Sequence, residues 1–131
     1  MEATLSTIIA AAAPLMFASL GETISEKSGV INLSLEGSLM LSALAGFAVA
    51  FSTNNTLAGF AAAAVVGATF ALIVAFSSIT LGLNQVAVGF VLAILGVALA
   101  SFLGGSYTGR PGGAVAVPPL NIPFLADIPF V

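Results

Sequence analysis

Four long apolar runs, broken by short polar stretches, occupy most of the 131 residues. They cover residues 3–20, 30–51, 57–76 and 86–103, with separators at 21–29, 52–56 (STNNT) and 77–85 (SSITLGLNQ). Each run approaches the about 20 mostly apolar residues that an α-helix needs to cross a bilayer. The pattern predicts an all-α, polytopic transmembrane helix bundle of about four membrane helices over 1–104. From Gly105 the texture changes: five of the six prolines fall in the tail, and 105–131 is expected to be a Pro/Gly-rich loop. The tail ends apolar, at Pro129-Phe130-Val131, which reads as the approach to a further membrane segment outside this sequence.

The second run is the least regular. Asn32 and Glu36 fall inside it, four residues apart, and would share one face of a continuous helix. It is either a full span with a polar inner stripe or a helix whose first turns are broken, and a buried central helix with an irregular N-terminal part is expected. The first run contains Pro14, which a membrane helix tolerates where neighbours satisfy the freed carbonyl. Small residues recur every four positions: Ser34, Ser38, Ser42, Gly46 and Ala50 on the second run, Gly59, Ala63, Gly67, Ala71 and Ala75 on the third, Gly96, Ala100 and Gly104 on the fourth. Such stripes let helix backbones approach closely, the main source of association where lipid is as apolar as the helix.

Composition places the chain in a membrane. The chain is 60% hydrophobic and 5% charged, against roughly 25% charged in soluble domains, and its mean hydropathy is +1.22. An integral, multi-pass membrane protein is expected, with lipid as a partner. Two basic residues cannot track a phosphate backbone, so nucleic acid is excluded. The absence of Cys and His removes disulfides, thiolate and imidazole metal ligands, Cys nucleophiles and His bases. No metal site or bound cofactor is expected. Met1-Glu2 lacks the basic start of a signal peptide, so the first run is read as a retained helix.

Few groups remain that could carry chemistry. Glu22 and Glu26 are paired carboxylates beside Lys27, but with no further catalytic group in sight they read as an interfacial charge cluster. Glu36, about seven residues into the second run, is costly at membrane depth; it either locks helices together or lines a translocation path, and Asn32 shares both readings. Asn84 and Gln85 either cap the fourth helix or reach into a pocket, and Asn favours capping. Residues 104–110 (GGSYTGR) lack the Lys-Ser/Thr of a phosphate loop, which rejects nucleotide binding. No nucleophile–base pair is visible, so the chain is not expected to be an enzyme.

One segment points further. Residues 21–37 read GETISEKSGVINLSLEG, with Gly21, Glu22, Ser25, Glu26, Lys27, Ser28, Gly29, Val30, Asn32, Leu35, Glu36 and Gly37 in a distinctive order. This segment resembles the signature of the permease subunits of ABC importers for simple sugars and nucleosides, in the branched-chain amino acid, ribose and nucleoside permease superfamily. Leu81-Gly82-Leu83-Asn84-Gln85-Val86 resembles a second landmark of that family, and Phe102-Leu103-Gly104 and Ile122-Pro123 through Ile128-Pro129-Phe130 resemble the loop after the fourth helix. The resemblance covers nearly the whole chain but only the N-terminal half of such a permease, without its ATPase-coupling loop.

The resemblance implies a transmembrane subunit of the plasma (inner) membrane that moves a nucleoside or simple sugar by alternating access, without an activity of its own on ATP. It implies a cytoplasmic ABC ATPase subunit, a second permease subunit and an extracytoplasmic substrate-binding protein as partners. It makes Asn32, Glu36, Asn84 and Gln85 candidate contacts along the substrate pathway. It also implies a topology with residues 22–28 inside and the tail from Gly105 outside. Lys27 inside agrees with the positive-inside rule, whereas Arg110 outside does not. The competing reading is a small non-transporting membrane protein that associates through its small-residue helix faces.

Overall fold

The computed structural model describes residues 2–109, and among them every regular element is helical. Four α-helices follow in order: α1 (Glu2–Lys27), α2 (Leu35–Thr53), α3 (Thr56–Ala75) and α4 (Gln85–Gly104). All four are long and apolar enough to cross a membrane. The 19 residues of α2 rise about 28 Å, which matches a hydrocarbon core of about 30 Å. The tail beyond Gly109, including Arg110 and the Ile122 to Phe130 landmark, lies outside the described residues. Of the expected loop, Gly105–Tyr107 is a single 3-10 turn continuing α4.

α1 forms one compact unit and the α2–α4 bundle belongs to another. α1 is longer than the first apolar run predicts. It continues to Lys27 through the charged residues that were expected in a connecting loop, and it contains Pro14. Hydroxyls along its second half bond back to the preceding turn: Ser19 Oγ donates to Met16 O at 2.9 Å and Thr23 Oγ1 to Ser19 O at 2.7 Å. These bonds hide polar side chains on the helix itself, which lets the helix carry them into an apolar medium.

Within the bundle, local chemistry sets each boundary. Asn54 ends α2 in the left-handed conformation (φ 52°). Asn55 then starts α3: its Oδ1 accepts from the N–H groups of Leu57 at 3.0 Å and Ala58 at 3.3 Å. Adjacent asparagines therefore make a tight α2–α3 turn, one as C-cap and one as N-cap. α3 does not stop at the end of its apolar run but relaxes into a π-turn, Phe76–Thr80, in which Leu81 N–H donates to Phe76 O at 3.3 Å. Asn84 then caps α4 through Val86 N–H (3.0 Å) and Ala87 N–H (3.2 Å).

α2 is central. It packs against both α3 and α4, antiparallel to the first and parallel to the second. On the α3 side the expected stripes meet: a Cβ on Gly59 would stand 2.6 Å from Gly46 O and 2.7 Å from the Ala50 Cβ, and one on Gly67 would stand 3.7 Å from Ser42 Oγ. On the α4 side a Cβ on Gly96 would fall 2.6 Å from the Gly37 backbone, and one on Gly37 would fall 2.6 Å from Ala93 O. The larger interior side chains, Phe70, Val74 and Leu92, pack with Val30, Leu41, Val66 and Val88. Large apolar groups otherwise point outward, Phe102 being 81% exposed. Small residues inside and large ones outside is the order expected when lipid is the solvent.

Candidate functional site

The signature segment contains a backbone break. Its first part, Glu22, Ser25, Glu26 and Lys27, lies on the last two turns of α1. Glu22 and Glu26 stand one turn apart on the same face, and Lys27 sits where the helix dipole favours a cation. Ser28 closes the helix: its N–H donates to Ile24 O (3.2 Å) and its Oγ to Ser25 O (2.7 Å). Gly29 follows with φ at 86°, a left-handed conformation that costs a residue with a Cβ about 1–2 kcal/mol. The chain then runs outside any helix until Leu35.

Of the two readings of the second run, the irregular N-terminal part is the one observed, so Asn32 and Glu36 do not share a helical face. Asn32 lies before the helix, and its Oδ1 accepts from Ser34 N–H at 3.0 Å and from Ser34 Oγ at 2.6 Å. An Asn that bonds its own backbone two residues on competes with helix formation, so the break is local in origin. Ser34 is fully buried beneath this turn. Glu36 stands in the first turn of α2, exposed, and not seven residues into a span. There the N-terminal dipole favours its charge, and the cost of a charge at mid-helix does not arise.

The second landmark meets the first across 54 residues of sequence. Gln85 Oε1 accepts from the Ile31 N–H at 3.0 Å. One turn further along α4, Gly89 is buried against the same stretch: a Cβ there would stand 2.9 Å from Leu33 N. Asn84, by contrast, spends its side-chain oxygen on its own helix and borders an apolar groove with Ile73, Leu83, Ala87, Val88 and Val91. Of the four candidate pathway residues, Gln85 thus reaches the segment that carries Asn32, Glu36 follows one turn later, and Asn84 is turned to capping. Among the described residues no group of three acidic, His or Cys side chains could hold a metal ion.

Two contacts were not anticipated from sequence, that of Gly37 with α4 and that of Gly89 with the non-helical stretch before α2. The signal was present but irregular. On α4 the small residues facing α2 are Gly89, Ala93, Gly96 and Ala100, spaced four, three and four, and a search at a fixed spacing of four passes over Gly89.

The family described as the permease component of the branched-chain amino acid transport system matches residues 4–127. A Haloferax volcanii protein named "Putative glucose ABC transporter permease protein TsgC13" is 41% identical over 103 residues, which cover 79% of this chain and 31% of that protein. The chain therefore spans about a third of the length of this relative. No solved structure matches the chain significantly. With four helices able to cross a bilayer and the family match running through all of them, the chain is a multi-pass protein of the plasma membrane and belongs to the family of branched-chain amino acid transport system permease components.

Proposed function

We propose that this chain is part of the transmembrane subunit of an ATP-driven ABC importer for a small polar solute. The observation that carries this reading is the family match over residues 4–127, which spans all four membrane helices and the signature segment. ATP hydrolysis would reside on a separate cytoplasmic subunit, so this chain itself would bind no cofactor. Solute would be delivered by an extracytoplasmic binding protein, and a second permease subunit would complete the pathway. Alternating access would then expose the site to each side in turn.

The name of the haloarchaeal relative, a glucose permease, favours a simple sugar over a nucleoside as the solute. Either solute presents a ring rich in hydroxyls, which Asn32, Gln85 and Glu36 could meet with amide and carboxylate groups around the break before α2. Asn84 remains a pathway candidate through whatever its amide nitrogen contacts. Uptake of labelled glucose and of a labelled nucleoside by cells carrying the complete permease tests the reading. Glu36→Leu should reduce uptake of the true solute at least tenfold, the loss of about one charge-assisted hydrogen bond, with the protein still present in the membrane. Full uptake with normal protein levels would remove Glu36 from the pathway, and accumulation of neither solute would overturn the assigned substrate class.

A further inference from the structure

We infer that Gln85 is a positioning residue: its side-chain oxygen, seated over the Gly89 contact, anchors the non-helical stretch before α2 onto α4, and so fixes where Asn32 and Glu36 stand. Three observations converge on it. Residues 29–34 have left the helical ladder, so their N–H groups need other partners. The cost of leaving one unpaired is highest in or beside hydrocarbon. Asn32 serves Ser34 from within the stretch, but Ile31 has its partner on another helix, in Gln85 Oε1 at 3.0 Å. The absent side chain of Gly89 lets Leu33 come against the α4 backbone one turn below. Further along, Gly37 and Gly96 bring the first turn of α2 into backbone contact with the same helix. The stretch is thereby held at Ile31, Leu33 and Gly37 along successive turns of α4. Only the first of these three holds is a side-chain hydrogen bond that a single substitution can remove without adding volume.

This assigns Gln85 a role beyond any solute contact made by its amide nitrogen. Its oxygen is committed to the backbone, and its effect on solute passes through the placement of Asn32 and Glu36. That second step rests on the transport reading above, so two independent readouts are needed. The first is amide hydrogen exchange in the complete permease in lipid nanodiscs. Gln85→Met keeps the length but removes the acceptor, and should speed exchange in residues 29–34 about five- to tenfold while leaving residues 56–75 unchanged. Gln85→Glu keeps an acceptor at the same reach and should stay within about twofold of the parent. Gly89→Ala, with Gln85 intact, should also speed exchange in 29–34. Unaltered exchange in Gln85→Met, or equal acceleration in Gln85→Met and Gln85→Glu, would overturn the anchor.

The second readout is solute uptake. Gln85→Met should raise the half-saturating solute concentration severalfold, and Gln85→Glu should restore it. If exchange responds but uptake by an active parent does not, positioning of the pathway is overturned. If the parent itself shows no uptake, the transport reading fails, and the exchange pattern still decides the anchor.

Discussion

α2 presents two faces, and they are held in different ways. Toward α3 it offers Ser42, Gly46 and Ala50, which meet Gly59, Ala63 and Gly67 in an antiparallel pair joined by two asparagines. Close approach of the two backbones does the holding there. Toward α4 it offers Gly37 and, before the helix begins, Leu33 and Ile31. These meet Gly96, Gly89 and Gln85 in a parallel pair. The first face joins neighbours in sequence by van der Waals packing. The second joins distant segments, mixes packing with a hydrogen bond, and takes up a stretch of unwound backbone. The difference teaches that the family signature and the second landmark are two halves of one junction, while the α2–α3 face is scaffold.

Substitutions can break each face separately. The largest effect is expected at Gly96→Ala and Gly37→Ala, because the new Cβ meets facing backbone at 2.6 Å and only a helix shift relieves it. Each should cost about 3 kcal/mol, the upper part of the overpacking range, in an unfolding titration in mixed micelles. Gly59→Ala, which meets Gly46 O at 2.6 Å but lies in the scaffold face, should cost about 2 kcal/mol. It should leave exchange in residues 29–34 at the parent level. Asn84→Ala and Asn55→Ala each remove a cap that accepts two N–H groups, and should cost about 1 kcal/mol. Gly67→Ala should change stability by less than about 0.5 kcal/mol, since its Cβ would meet only Ser42 Oγ at an ordinary 3.7 Å. A large loss at Gly67 would show that α2 and α3 pack more tightly than described.

The scaffold face was the more legible of the two in the sequence. Its small residues recur at a constant spacing of four on both helices, and the adjacent asparagines mark the turn between them. The membrane spans were legible too, because hydrocarbon thickness imposes a run length that composition reveals directly. The α4 face was harder to read for two physical reasons. Its spacing alternates between four and three, which a fixed-period search does not follow. Its polar contact uses a backbone N–H, which no residue type announces. The helix ends were displaced for a related reason. α1 runs on through Glu22, Glu26 and Lys27 because charged residues in a last turn obey helix geometry even where hydropathy falls. α2 starts late because Gly29 and the Asn32–Ser34 turn hold the backbone outside it, although Val30, Ile31 and Leu33 are apolar. Hydropathy locates what lies in lipid and says little about where the backbone hydrogen bonds change pattern.

Three aromatic contacts mark the opposite end of the bundle. Phe47 and Phe51 stack on α2, and Tyr107 packs edge-on to both at 6.0 and 6.4 Å. An aromatic cluster ending in a phenol suits a membrane–water interface. The break before α2 and the Gln85 anchor lie at the other end. The two ends of this bundle thus differ, one carrying the aromatic cluster beside the asparagine turn, the other the unwound stretch and its hydrogen bond to Gln85.

The central claim, that this chain belongs to an importer's membrane subunit, is tested most directly by purifying the complete permease from native membranes and identifying what remains bound. The account predicts that an ABC ATPase is retained and that adding solute-loaded binding protein stimulates its ATP hydrolysis. A preparation that contains only self-associated copies of the permease, with no ATPase and no stimulated hydrolysis, would contradict it.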